Sequence, residues 1–188
     1  MELLSIFTAF GLSFSAGLNA YIPLFIIGSL AHYTDLVKLS SPYDVLADPW
    51  ALIVLGVLII IEFLADKVPA VNHVNDLIQT FFRPVAGAIA FAATAGVVTN
   101  IHPILALTCG LLVAGGVHTV KSAIIRPAVT ATTGGVANTP VSILEDITAT
   151  VVSFLSILIP ILIVFVIILF VSAIVMWRRQ RVKSQKPA

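Results

Sequence analysis

Long apolar runs separated by short polar stretches make up most of the chain. Five runs reach the length or hydropathy of a bilayer-spanning helix, with approximate limits 4–32, 50–66, 84–100, 103–125 and 150–177. A spanning helix needs about 20 mostly apolar residues. The pattern predicts an all-α, polytopic integral membrane helical bundle of about five transmembrane spans, although a split first run would change that count.

Two polar-interrupted segments, 67–83 and 126–149, are too short or too polar for ordinary spans. Each contains a proline followed by a helical pattern, which is typical of a re-entrant half-helix beside a protein-lined cavity. A surface amphipathic helix is the alternative. Within the second segment, 130–135 predicts a flexible loop, and Asn138-Thr139-Pro140 predicts the capped start of the next helix.

The chain contains a candidate internal repeat. Residues 75–80 resemble residues 145–150 at an offset of 70, whereas a rival register pairs Arg83-Pro84 with Arg126-Pro127. The two registers exclude each other. A true repeat in a small helical membrane protein would favour a transporter or channel.

Composition and charge agree with a membrane protein. Hydrophobic residues make up 59% of the chain and charged residues only 10%, against about a quarter charged in soluble domains. We expect one membrane-embedded domain over 1–177. Five of the ten basic residues lie in the tail 178–188, which predicts a cytoplasmic C-terminus. A tail contact with nucleic acid is not expected, and membrane lipid is the expected neighbour.

An acidic pair marks the end of the second run. Glu62 and Asp66 are four residues apart and therefore project from one helical face, with Lys67 beside them. Charges inside a membrane normally pair, face water or change protonation state. The functional interpretation is a cation or proton site. The structural alternative is an ion pair with Lys67, Arg83 or Lys121.

A basic face on the fourth run matches the acidic one. His118, Lys121 and Ser122 share a helical face, and Gly110, Gly115 and Gly116 offer small surfaces for close helix packing. If the second and fourth spans pack together, Glu62 and Asp66 would neutralise Lys121. His118 would then be the group that titrates near neutral pH.

Further polar candidates lie at the borders of the runs. Arg83 and Arg126 each precede a proline, and they would either snorkel to the lipid headgroups or bind an anion. Glu145 and Asp146 follow a predicted helix start, where the helix dipole favours carboxylates. Two more candidates are Asp76, in the first polar-interrupted segment, and Asn19, in the first run.

The sequence carries no motif for ordinary catalysis, and no cofactor or metal site is expected. It has no P-loop, dinucleotide-binding turn, HExxH or GxSxG motif. The single cysteine, Cys109, cannot build a disulfide framework within one chain. The sequence therefore favours a protein that is not an enzyme and leaves a membrane-embedded enzyme as an alternative.

Three blocks of the sequence resemble one family. They are SAGLNAYIPLF (15–25), EFLADKVPAVNHVNDLIQTFFRPVAGA (62–88) and HTVKSAIIRPAVTATTGGVANTPVSILED (118–146), and together they resemble the domain of unknown function 4126. The resemblance implies a bacterial membrane location and no known activity. Asn19 departs from a family position that is often basic.

Together these patterns predict a small transporter or channel whose polar residues line one cavity for an ion or a small polar or anionic solute. We expect a multi-pass protein of the bacterial cytoplasmic membrane that forms a homodimer. The alternatives are a lipid-binding or lipid-modifying membrane enzyme, with His118 as base and Arg83 and Arg126 on the headgroup, or a structural protein whose charges lock helices together.

Overall fold

A computed structural model describes residues 2–65, 69–95 and 101–160, together with 168–169, 171–172 and 175. Its α-helices are α1 (Glu2–Leu18), α2 (Tyr21–Tyr33), α3 (Pro49–Ala65), α4 (Pro69–Ala95), α5 (Pro103–Val120), α6 (Arg126–Thr133) and α7 (Asn138–Leu158). A 3-10 turn covers Tyr43–Ala47, and a π turn covers Lys121–Ile125. The all-helical prediction is confirmed, since the described residues contain no strand.

Three described helical segments are long and apolar enough to cross a membrane. They are Leu77–Ala95, Pro103–Thr133 and Asn138–Leu158. Shorter apolar helices cover Leu4–Leu18, Tyr21–Tyr33 and Pro49–Ala65. This set is compatible with a helical membrane bundle. The predicted spans differ from these helices at several places. The first run is divided between two helices, the run 50–66 is one of the shorter helices, and the run 150–177 begins inside α7 and lies partly outside the described residues.

The first apolar run is a helical hairpin and not one span. Helix α1 ends at Leu18, and Asn19 leaves the helical path. The Asn19 Oδ1 atom accepts hydrogen bonds from the backbone N–H groups of Tyr21 and Ile22, both at 3.1 Å. This capping starts α2 in a new direction, because an asparagine side chain can replace the missing helical acceptors. The loop after α2 returns beside Thr8.

Helix α1 is the central element of the bundle. It packs against α2, α4, α5 and α7, and residues 11–20 are all buried. Small polar residues join it to its neighbours. Ser13 Oγ donates to the Gly87 carbonyl oxygen at 2.8 Å, and Ser15 Oγ donates to the Ala149 carbonyl oxygen at 2.7 Å. Short hydroxyl side chains thus permit close packing while their polar atoms find partners.

Helices α4 and α5 approach closely at a pair of glycines. A Cβ atom on Gly87 would lie 2.9 Å from the Gly110 carbonyl oxygen, and one on Gly110 would lie 2.3 Å from the Gly87 carbonyl oxygen. The expected role of Gly110 in close packing fits this geometry. Gly116 has no such neighbour, since no heavy atom lies within 4 Å of its ideal Cβ position.

The two polar-interrupted segments belong to longer helices. From Pro69 onward the first one forms the start of α4, which continues through Pro84. The second forms α6, a turn at Gly134 and the start of α7. The expected flexible loop over 130–135 is therefore helical as far as Thr133. Helix α7 begins at Asn138, as expected, but the expected cap is wrong, because the Asn138 side chain bonds to Thr130 instead.

A π turn joins α5 to α6, and a proline explains it. Pro127 has no N–H group, and its ring would clash with the carbonyl of the residue four positions earlier. The chain widens in response, so that the Arg126 N–H donates to the carbonyl oxygen of Lys121, five residues before it. In an α-helix these two side chains would point about 140° apart. In a π turn residues five apart are about one turn apart, which places them on one side.

Pro160 likewise removes a backbone N–H donor, here at the end of α7. Its missing N–H would leave the Ser156 carbonyl oxygen without a helical donor. The Thr8 hydroxyl on α1 donates to that oxygen at 2.8 Å. The carbonyl oxygen therefore has a donor from another helix.

The fold gives no support to the internal repeat at an offset of 70. That offset relates the start of α4 to the start of α7, so these two helices correspond. It also relates α2, Tyr21–Tyr33, to residues 91–103, where α4 ends at Ala95 and α5 begins at Pro103. A continuous helix would thus correspond to the end of one helix and the start of another, which a repeat does not allow. The rival register fails locally, because Pro84 lies inside a helix while Pro127 follows a π turn.

Candidate intramembrane charged site

Six ionisable side chains are buried together near the turn of the α1–α2 hairpin. We call them the charged cluster: Glu62, Arg83, His118, Lys121, Arg126 and Glu145. Their exposed fractions run from 1% for Arg83 to 9% for Glu145. They come from α3, α4, α5, the π turn, α6 and α7, so no single helix forms the site.

The charged cluster lies partway along the long helices and not at their ends. Arg83 precedes the end of α4 by about 12 residues, and Glu145 precedes the end of α7 by about 13, or about 18–20 Å of helix in each case. The hairpin turn at Asn19 reaches the same level, because it contacts the residue after Glu145. The hairpin therefore enters the bundle from one end and turns at the charged cluster.

One half of the cluster is a chain of hydrogen bonds from Glu62 to Thr80. Arg83 Nη2 donates to Glu62 Oε1 at 2.9 Å, and Arg83 Nη1 lies 3.1 Å from His118 Nδ1. Because a guanidinium only donates, Nδ1 must be the acceptor and the ring must be neutral. The proton then resides on Nε2, which donates to Thr80 Oγ1 at 3.0 Å.

The other half is a carboxylate shared by two cations. Glu145 Oε2 lies 2.8 Å from Lys121 Nζ and 2.9 Å from Arg126 Nη2. The π turn makes this possible, because it brings Lys121 and Arg126 onto the same side of the helix. Lys121 Nζ also donates to the Leu18 carbonyl oxygen at 3.1 Å, which ties the end of α1 to the π turn.

The hairpin turn is also hydrogen-bonded to α7. Asn19 Nδ2 donates to Asp146 Oδ1 at 2.9 Å, while Asn19 Oδ1 caps α2. One amide side chain therefore holds the turn and attaches it to the helix that carries Glu145. The Asn19–Asp146 and Lys121–Leu18 hydrogen bonds therefore both link the hairpin to the rest of the site.

Some buried polar atoms in this region have no hydrogen-bond partner in the described part of the chain. They are Gln79 Oε1, Arg83 Nε and Glu145 Oε1. The Tyr21 hydroxyl lies within electrostatic reach of Glu62 and Arg83. Buried polar atoms of this kind are rare in proteins, where such groups usually have a protein or water partner. The region can thus offer both donors and acceptors to a small polar molecule.

The observed ion pairs match the expected ones only in part. Glu62 pairs with Arg83 and Lys121 pairs with Glu145, so Glu62 does not neutralise Lys121. The physical reason is packing, because α3 lies against α2 and α4 and has no extensive contact with α5. The structural alternative for Glu62, an ion pair with Arg83, is the one observed. His118 is held neutral by Arg83 and is not left as a lone titrating group.

Arg83 and Arg126 do not snorkel to the headgroups. Both are buried, and each donates to a glutamate. Asp66 and Lys67 lie outside the described residues. Asp76 lies on α4, but its side chain is not among those described.

Sequence reasoning missed Gln79 and Thr80. Both lie one turn before Arg83, and Gln79 is buried while Thr80 bonds to His118. Their spacing of four and three residues from Arg83 was the available signal, since such residues share a helical face.

A cavity of about 550 Å³ lies elsewhere in the bundle. Leu4, Thr8, Lys38, Thr94 and Pro160 are among the residues that line it. These residues belong to the opposite ends of the same helices. The cavity is therefore separate from the charged cluster, whose side chains pack directly on one another. Among the described residues, no group of three or more His, Cys, Asp and Glu side chains could hold a metal ion.

These features define an apolar, all-helical protein of the membrane type with a buried charged cluster inside its bundle. The family model of the domain of unknown function DUF4126 matches residues 6–179. The chain therefore belongs to that family, as its sequence blocks indicated. No curated protein and no solved structure matches it.

Proposed function

We propose that this protein is a small membrane transporter or channel and that its solute contacts the charged cluster. The observation that carries the proposal is the burial of this cluster beside the turn of the α1–α2 hairpin. Ionisable side chains within membrane helices are costly and usually belong to substrate pathways or ion pathways. Hairpins and broken helices at this depth are a recurring architecture of transporter sites.

The energy of the ion pairs supports a functional role over a merely stabilising one. Taking charged groups out of water costs several kcal/mol for each ion, and apolar residues of similar volume often stabilise a protein as well or better. A bundle that needed only stability would gain little from three buried cations and two buried carboxylates. Residues that bind a polar solute, in contrast, have to be charged or polar.

The two hydrogen bonds that hold the hairpin turn suggest how the proposed solute would reach the charged cluster. The turn is held by the Asn19–Asp146 and Lys121–Leu18 hydrogen bonds. Breaking both would leave the turn attached through apolar packing, in which Leu18 and Ile22 take part. We propose that this turn moves aside when the solute passes and that the described conformation is the closed one.

We also propose a cellular location and an oligomeric state for the protein. We place the protein in the bacterial cytoplasmic membrane as a multi-pass homodimer, with residues 1–177 as one embedded domain. The tail 178–188 would lie on the cytoplasmic side, because basic residues after a span are retained there.

Solute flux into proteoliposomes tests the proposal. We would measure uptake of labelled lactate, rubidium and glycerol, which represent anions, cations and neutral solutes. We expect protein-dependent uptake of at least one of them, reduced at least tenfold by Lys121→Met. Asp44→Asn changes an exposed carboxylate far from the cluster and should leave uptake unchanged. Equal uptake by folded Lys121→Met and the original protein would refute the proposal.

A structural role is the second candidate, because the two glutamates are reciprocally paired with cations in a tightly packed interior. It makes a different prediction for exchanged charges. The double variant Glu62→Arg with Arg83→Glu should restore both folding and any flux if the pair only locks helices. Restored folding without restored flux would favour the transporter.

A further inference from the structure

The geometry around Glu145 identifies the chemical class of the solute. One oxygen of this carboxylate receives both the Lys121 ammonium and the Arg126 guanidinium, at 2.8 and 2.9 Å. Within the described part of the chain, the other oxygen has no hydrogen-bond partner. The two cations thus form a receptor for one anionic oxygen, and Glu145 occupies that receptor.

We propose that the solute is a small monovalent carboxylate, which displaces Glu145 from Lys121 and Arg126. This inference rests on the proposed function and adds the substrate class and the competing group. A carboxylate of the solute would make the same two charge-assisted contacts that Glu145 makes, so the exchange needs no rearrangement of the cations. No covalent bond is formed or broken.

The charges near Lys121 favour an anion over a cation. Lys121 interacts electrostatically with Arg83 and Arg126 as well as with Glu145. Arg83 is paired with Glu62, and Glu145 contacts both Lys121 and Arg126. When Glu145 moves away, the Lys121 ammonium stays beside the guanidinium groups of Arg83 and Arg126, in a medium of low dielectric constant. An anion is then strongly attracted, whereas a cation is repelled.

Glu145 is also the member of the charged cluster best able to leave its position. It is the most exposed of the six side chains, at 9% against 1% for Arg83. One of its oxygens is not tied within the described residues, whereas the Lys121 ammonium has both an ionic partner and the Leu18 carbonyl oxygen. Rotation of the Glu145 side chain would expose the two cations while they stay in place.

Binding of acetate to the detergent-solubilised protein tests this inference. Acetate carries the same carboxylate as Glu145, and acetamide has nearly the same shape without the charge. In Glu145→Gln the competing carboxylate is gone, so we expect thermal stabilisation by acetate at concentrations at least tenfold lower than in the original protein. Acetamide should stabilise neither form. The ligand stabilises the folded state in proportion to the logarithm of its concentration over its dissociation constant.

Two further variants keep the result interpretable. Glu145→Asp retains the charge but shortens the side chain by one methylene, so it should fold and show an intermediate gain in acetate affinity. Lys121→Met combined with Glu145→Gln removes one of the two cations and should lose the gain. Asp44→Asn should respond to acetate as the original protein does.

The same acetate response in Glu145→Gln, Glu145→Asp and the original protein would overturn the inference, and so would an equal response to acetamide. If Glu145→Gln fails to fold without acetate, the acetate affinity of Glu145→Asp decides whether Glu145 competes with the solute. The result is independent of the flux experiment. A flux that needs Lys121, with no acetate effect at Glu145, would refute the substrate class and leave the proposed transporter intact.

Discussion

At the scale of single residues, Arg83 holds one half of the charged cluster together. It donates to Glu62 and to His118, and it is almost completely buried. Removing one partner of a buried ion pair leaves an uncompensated charge, which costs about 3–5 kcal/mol. Replacing both partners by apolar or neutral groups removes that cost.

We therefore expect Glu62→Gln to lower the free energy of unfolding by about 3 kcal/mol, because Arg83 would remain buried without its carboxylate. Glu62→Gln combined with Arg83→Met should be less destabilised than Glu62→Gln alone. Denaturation in detergent measures both. A double variant that is less stable than the single one would contradict the assignment of Arg83 as the partner of Glu62.

Glycine substitutions give a second test with a matched control. A Cβ atom on Gly87 would lie 2.2 Å from the Ala114 Cβ, so Gly87→Ala has to push α4 and α5 apart. We expect a loss of about 1–3 kcal/mol, as for other overpacked sites. Gly116→Ala meets no neighbouring heavy atom within 4 Å. It should be neutral or gain up to about 1 kcal/mol from helix propensity. Thermal melting distinguishes the two, and equal effects would contradict the close approach.

The sequence identified all six residues of the charged cluster, but it left the partner of Glu62 open and did not pair Lys121 or Arg126 with Glu145. An ionisable residue in an apolar helix stands out against its neighbours, which is why Glu62, His118 and Lys121 were found. Their partners depend on which helices touch, and one sequence does not contain that information. The π turn is the clearest case, because it rotates Arg126 toward Lys121 by an amount that a regular helical pattern cannot predict.

At the scale of helices and turns, the α1–α2 hairpin is the element that the apolar pattern did not predict. Both helices are apolar, so the run 4–32 has the composition of one span. The break depends on one capping residue, Asn19, which the sequence offered as a candidate site residue and not as a helix cap. The expectations for α3 and α5 were closer, because the predicted runs 50–66 and 103–125 nearly coincide with Pro49–Ala65 and Pro103–Val120.

Asn19 provides a test of the hairpin. Asn19→Ala loses both the cap of α2 and the hydrogen bond to Asp146, and we expect it to cost about 1–2 kcal/mol. Asn19→Ser keeps a capping oxygen but cannot reach Asp146 in the same way, so it should retain about half of that stability. Hydrogen exchange of the Tyr21 and Ile22 amides reports the cap directly. Unchanged exchange in Asn19→Ala would contradict the capped turn.

At the scale of the whole molecule, the bundle has two distinct regions. The charged cluster lies where the hairpin turns, and the cavity beside Thr8 lies at the other end of α1. Helix α3 carries exposed apolar residues such as Ile53, Val57 and Ile60, as expected of a surface that faces lipid. Membrane class and family were predictable from composition and motifs. The depth of the charges along the helices was not, because it depends on how the hairpin folds back.

The central claim is that the charged cluster is a solute site that opens to water, and cysteine labelling tests it most directly. Cys109 is the single native cysteine, so Cys109→Ala provides a background for Gln79→Cys at the cluster and Leu12→Cys in the apolar core. We expect a membrane-impermeant, charged thiol reagent to label folded Gln79→Cys, acetate to slow that labelling, and Leu12→Cys to stay unlabelled. A folded Gln79→Cys protein that resists the reagent as completely as Leu12→Cys would contradict the account.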